Sequence, residues 1–177
     1  VDSIEKICHL PQIILNDEAH EYEHSIEVHI PFLQTLLGEF KLIPLLTGRT
    51  SGPYIAEVLE CLWGNESTRI LISSDLSHYQ TYEQALKIDI HTAQAIERMN
   101  LDKLTTTNAC GFLPISGMLI ASHRHNLRIK RLDLRSSGDT IGRKDRVVGY
   151  ASWAIYSKDN KNKVVETTIE SEISNED

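Results

Sequence analysis

The residues best suited to chemistry lie together at the end of an apolar run. Arg69-Ile-Leu-Ile gives way to Ile72-Ser-Ser-Asp-Leu-Ser-His-Tyr79, which sets hydroxyls, a carboxylate and an imidazole within a few residues of one another. An imidazole with an unperturbed pKa of about 6.5 suits proton transfer near neutral pH, and a well-placed acid/base group contributes about 10² to 10⁴ in rate. Asp75 and His78 are therefore the first candidates for a catalytic role. The elements around them support such a role. A short apolar run bounded by turn residues reads as a buried strand over 69–73, and open α/β sheets bind ligands at the carboxyl ends of their strands. Thr81 and Gln84 stand at the spacing of a capping box, which starts a helix and leaves Asp75 and His78 on the loop before it. A plainer reading is that Asp75 and the serines tie up backbone amides in a turn, with His78 on the surface.

A second group of titratable residues is His20-Glu-Tyr-Glu-His-Ser-Ile-Glu-Val-His29. His20-Glu21-x-x-His24 has the spacing of a zincin helix, in which two histidines on one face bind zinc and the glutamate is the general base of a metallopeptidase. The surroundings argue against it. Asn16-Asp-Glu-Ala19 is polar and turn-like where a zincin helix is apolar, Pro31 interrupts a helix long enough to present the motif, and Ile30 stands where a third metzincin histidine belongs. His24 and Glu27, three apart on one side of an opening turn, fit a pocket and a local hydrogen-bonded pair equally well. His29 reads as a helix-surface residue.

The elements that must position these groups alternate between strand and helix. Strands are expected at 12–16, 42–47 and 69–73, and helices at 25–38, where Pro31 requires a start near His29, and at 54–63 and 82–99. A short helix follows at 101–105, then a buried one from Phe112 to Arg124, and strands 128–135 and 147–156 form an antiparallel pair. At 41% hydrophobic and 24% charged, 177 residues suit one domain with a core. That domain is expected over 1–156, followed by a mobile polar tail over 157–177. A net charge of −7 excludes the basic stripe of a nucleic-acid surface. No apolar run is long enough to span a membrane, and no signal segment opens the chain. Cys8, Cys61 and Cys110 lack CxxC spacing, so neither a disulfide framework nor a zinc finger is expected and the cytoplasm is the expected compartment. The opening at Val1, directly in polar sequence, suggests a piece of something longer.

Four motifs in order carry a resemblance over nearly the whole chain: Glu23-His-Ser-Ile-Glu-Val-His-Ile-Pro-Phe-Leu33, Ser73-Ser-Asp-Leu-Ser-His-Tyr79, Ala109-Cys-Gly111, and Ser137-Gly-Asp-Thr with Val147-Val-Gly-Tyr-Ala151. The chain resembles the Memo family, called AmmeMemoRadiSam system protein B in prokaryotes. The resemblance implies an α/β fold similar to class III extradiol dioxygenases, a mixed β-sheet sandwiched by helices. It also implies roles. His78 matches the pocket acid/base histidine, Asp75 a pocket aspartate, and His24 the second pocket histidine; Glu27, by its spacing to His24, is a candidate for the substrate pocket. Cys110 matches the cysteine that replaces the carboxylate metal ligand of the dioxygenases, and a thiolate there favours iron or copper over magnesium or calcium. The family's upstream Pro-His-Ala-Gly-Tyr and second histidine motifs, which supply the other two ligands, do not occur here, so the match covers only the later part of a family domain.

Two classes of function follow from the resemblance: a mononuclear metal oxidoreductase, and a binding or signalling module using the same pocket for a small-molecule or peptide ligand. Fold alone does not choose between them. Three further expectations follow. His24 and His78 should face one pocket; this chain alone should hold no first-row metal tightly, since one thiolate is too few ligands unless His20, His24 and His78 are recruited; and uncovered apolar surface should make it self-associate or pair with a missing N-terminal segment.

Overall fold

The computed structural model describes residues 3–64, 67–140 and 142–157. The polar tail expected over 157–177 lies outside them, apart from Ser157. Helices form where the local signals are strongest. After a single turn, α1 (Glu18–Glu21), the chain enters α2 (Ile30–Leu37) through a 3₁₀ turn at Glu27–His29, with Pro31 in the first turn of the helix. A proline is tolerated there because that N–H has no helical partner. The same rule places Pro53 at the start of α3 (Gly52–Leu62). The expected capping box opens α4 (Tyr82–Glu97), where the Thr81 N–H donates to Gln84 Oε1 at 3.4 Å. Its buried stripe runs Ala85, Asp89, Thr92, Ala93 and Ile96, the i, i+4, i+7, i+8 spacing of one helical face. One member of that stripe is a carboxylate. α5 (Phe112–Arg124) spans the residues expected of it.

The sheet has three antiparallel strands in the order β1 (His78–Gln80), β3 (Val147–Ser157), β2 (Leu127–Ser136). β2 and β3 form the expected pair, running from Leu127 opposite Ser157 to Arg131 opposite Trp153 and, after a one-residue register shift, from Asp133 opposite Ser152 to Ser136 opposite Gly149. α4 packs on β2 and β3, while α3 packs on α5. The main core joins Leu76, Ala95, Ile96, Leu104, Ala109, Ile115 and Leu119; a smaller one joins Ile7, Leu10 and Val58. Among the described residues no helix is long and apolar enough to cross a membrane.

Several expectations are corrected. Residues 12–16, 42–47 and 69–73 are not strands, and the sheet formed by the described residues is antiparallel rather than mixed. A strand exists only when a neighbour takes up its backbone groups, and no ladder reaches these three runs. Their side chains are correspondingly uncovered: Ile14, Leu15, Leu42, Leu45 and Leu71 are exposed, as are Phe32, Leu36 and Leu37 on α2. The helix expected over 25–38 is reduced to the 3₁₀ turn and α2, and the one expected at 101–105 is a 3₁₀ turn at Leu101–Lys103. His78 lies on β1, not in the loop before α4.

Candidate functional site

The loop between residue 72 and β1 is fastened by successive residues to different parts of the fold. Ser73 Oγ lies 3.0 Å from His29 Nε2, at the entry to α2. Ser74 Oγ accepts the Gly111 N–H at 2.9 Å, at the entry to α5. The Asp75 N–H donates to Cys110 Sγ at 3.3 Å, and the Cys110 N–H donates to the Asp75 carbonyl at 3.3 Å. The loop and the 110–111 segment approach so closely that a Cβ on Gly111 would stand 2.9 Å from the Ser73 carbonyl oxygen. Glycine is what the approach permits. Asp75 then reaches forward, its Oδ2 lying 3.4 Å from His78 Nε2. A thiol, a carboxylate and an imidazole thus share one exposed to half-buried patch.

His78 is held from behind. The Ser77 N–H donates to Asp89 Oδ1 at 3.0 Å, and Ser77 O accepts the Gly149 N–H at 2.8 Å. Asp89 is only 2% exposed. Burial pushes its carboxyl above the usual range, opposed by the hydrogen bond from Ser77 and by the charge of His78. Tyr79 has a φ of +60°, a region that a bulky side chain enters at a cost of about 1–2 kcal/mol. The β1–β3 register breaks at the same place, between His78 and Gln80, and the Arg146 guanidinium lies 4.2 Å from the centre of the Tyr79 ring. Strained backbone next to a candidate acid/base is a mark of functional loops. Tyr150 adjoins the patch: burial first, then the charge of Asp75, raises its phenol.

The other expected residues lie apart from these bonds. His24 Nδ1 is 2.7 Å from Glu27 Oε1, and both side chains are well exposed, 73% and 64%. This is the local pair that the spacing allowed; its hydrogen bonds do not extend to Asp75, His78 or Cys110. His20 lies on α1, which ends at Glu21, so His20 and His24 do not share a zincin helix. His29 is the residue that sequence reasoning placed wrongly. It is half-buried and bonded to Ser73, not free on a helix surface.

A sequence profile described as Memo-like protein matches residues 1–154. The chain belongs to the Memo-like family. It is 40% identical over 157 residues to a MEMO1 family protein of Methanosarcina mazei, covering 81% of this chain and 59% of that protein. MEMO1 family proteins of Sulfolobus acidocaldarius and Aquifex aeolicus are each 35% identical over 161 residues, covering 83% and 82% of this chain and 56% and 59% of theirs. The Memo-like chain therefore spans less than two thirds of the length of these relatives. The iron or copper implied by the resemblance finds no complete site here. Among the described residues no group of three or more His, Cys, Asp or Glu side chains could hold a metal ion. Cys110 Sγ is met by a backbone amide and Ser74 Oγ, not by imidazoles.

Proposed function

We propose that Asp75, His78 and Cys110 form the proton-transfer part of a Memo-type pocket that acts on a small molecule. In this reading the protein is related in fold to class III extradiol dioxygenases and works as a mononuclear metal oxidoreductase when iron or copper is held with two further ligands. One observation carries it. A single loop bears Asp75, leads directly into His78, and is bonded on both sides of its Asp75 peptide to Cys110. Asp75 orients the His78 ring, and His78 Nε2 holds or delivers the proton. Cys110 presents Sγ, a soft donor suited to copper or iron. By the resemblance, His24 orients or protonates the substrate, with Glu27 hydrogen-bonded beside it.

Oxygen uptake with a panel of catechols tests the reading, on this chain and on the chain extended to the length of its relatives. Turnover is expected in the extended protein and should fall about 10²- to 10⁴-fold in His78→Ala. Metal retained without turnover of any catechol would favour the binding or signalling module instead. That second reading keeps the same pocket for a small-molecule or peptide ligand; separately, the 12–16 and 42–47 runs and α2 expose apolar side chains, surface that in a monomer of this size calls for a partner. The partner we propose for it is the remaining length of the family chain, adding strands to those runs.

A further inference from the structure

We propose that Arg146 selects the substrate of the candidate site, a small organic acid whose carboxylate it grips while the other end of the molecule lies at His78. The inference rests on the reading of Asp75 and His78 as a substrate pocket and adds the class of molecule that enters it. It follows from which residues around β3 share a face with His78. Val147 is buried and Gly149 lies against Asp89 of α4, so the alternate positions Val148 and Tyr150 turn away from α4. His78 stands opposite Val148 and belongs to that outer face. The two ends of the face differ in charge. At one end, burial and then the Asp75 charge raise the Tyr150 phenol, which keeps it neutral at about pH 7. At the other end the chain enters β3 from Arg146, whose guanidinium lies over the Tyr79 ring, 4.2 Å from its centre. The Tyr79 and His78 rings are 5.8 Å apart, so one small molecule can touch both the guanidinium and the imidazole.

Arg143, Lys144 and Arg146 are three cations in one short segment, and they are not equivalent. Arg143 makes two hydrogen bonds to Asp145, at 2.9 and 3.2 Å, and Lys144 Nζ lies 4.6 Å from the centre of the Tyr82 ring, at the start of α4. Arg146 makes no ion pair among the described residues. Stacking engages the face of a guanidinium and leaves the N–H donors at its edge, the fork that a carboxylate meets with two parallel hydrogen bonds. Charge balance decides between oxyanions. A phosphate dianion calls for more than one cation, and the other two of this segment are engaged elsewhere. A single guanidinium, on a face that already holds the Asp75 carboxylate beside His78, matches a monoanion.

Amide-resolved NMR titration of the full 177-residue chain tests this without metal or turnover, and so independently of oxygen uptake. The probes are benzoate, its neutral isostere benzamide, and phenyl phosphate, at matched ionic strength. Benzoate should give saturable shifts at Tyr79, Arg146 and Val148 with a dissociation constant of about 1 mM, as befits a few-atom ligand. Benzamide should bind at least about tenfold more weakly, and phenyl phosphate no more tightly than benzoate. The preference for benzoate over benzamide should disappear in Arg146→Gln and persist in Arg143→Gln and His78→Ala. Should Arg146→Gln lose the native spectrum, Arg146→Lys, which keeps the charge without the fork, should bind benzoate more weakly than the parent yet still prefer it to benzamide. Equal binding of benzamide, tighter binding of phenyl phosphate, a preference that survives in folded Arg146→Gln, or one that is lost in His78→Ala overturns the proposal. Benzoate binding without oxygen uptake on any catechol would remove the oxidoreductase reading and leave Arg146 its role, whereas turnover without a benzoate preference would remove the role of Arg146 alone.

Discussion

Replacing Gly149 by alanine adds one methyl group where the β3 backbone already touches the Asp89 carboxylate. The new Cβ would overlap Oδ2 and stand 2.8 Å from Oδ1, inside the 3.4 Å at which ordinary contact begins. The backbone is poorly placed to give way. Gly149 donates to the Ser77 carbonyl at 2.8 Å, accepts from the Leu76 N–H at 2.9 Å, and stands opposite Ser136 on β2. Asp89 must therefore turn aside and release the Ser77 N–H. Overpacking costs about 1–3 kcal/mol, and stranding a buried amide costs about 1–3 kcal/mol more, so a destabilisation of about 3 kcal/mol is expected. For a chain of this size that lowers the Tm by about 6–12 °C. The sign is diagnostic, because in an unobstructed strand alanine is the more stable residue by about 0.5–1 kcal/mol. Thermal and urea unfolding of Gly149→Ala, Asp89→Ala and the double variant complete a cycle. Once Asp89 is truncated, adding the methyl should cost less than about 0.5 kcal/mol. A Gly149→Ala protein as stable as the parent, or a cost that persists when Asp89 is alanine, would refute the account of how α4 supports the sheet.

Three further outcomes are expected. The Asp89 carboxyl titrates above its ordinary value because burial disfavours its charge, so the folded state binds that proton more tightly than the unfolded chain. The stability of the parent relative to Asp89→Asn should therefore rise as urea midpoints are followed from about pH 7 to about pH 4; a constant difference contradicts the sign. His29→Ala should cost about 0.5–1.5 kcal/mol through the Ser73 bond, and the loss should largely vanish in a Ser73→Ala background. Light scattering over a concentration series should show association that Phe32→Asp and Leu36→Asp reduce, since both side chains are exposed; a monodisperse monomer at high concentration would contradict this.

How much could be read in advance depended on where each element finds its partners. α5 and the α4 capping box followed from neighbours in sequence, and both stand where expected. Residues 12–16, 42–47 and 69–73 carry an equally clear apolar signal. That signal reports a wish for burial, and the ladder that would make a strand of it is not offered by the described residues. The site divides in the same way. Asp75 and His78 became candidates by residue type and Cys110 through the resemblance, whereas the contact between His29 and Ser73 joins residues 44 apart, beyond the reach of local spacing. Asp89 left two traces that could have been combined. A carboxylate on the apolar stripe of α4 and a glycine inside the apolar strand β3 together mark a point where backbone and side chain meet closely.

The two edges of the sheet are unlike, and this gives the fold a direction. β2 carries Arg128, Lys130, Arg131, Asp133 and Arg135 among its ten residues, the charge density with which natural edge strands repel additional strands. β1 has three residues and little charge, and directly precedes it the loop that follows exposed Leu71. Any polypeptide that extends the sheet is thus turned away from the β2 side and admitted on the β1 side. Growth there would bring new backbone alongside His78, so the border by which the sheet can lengthen is also the border that carries the candidate site.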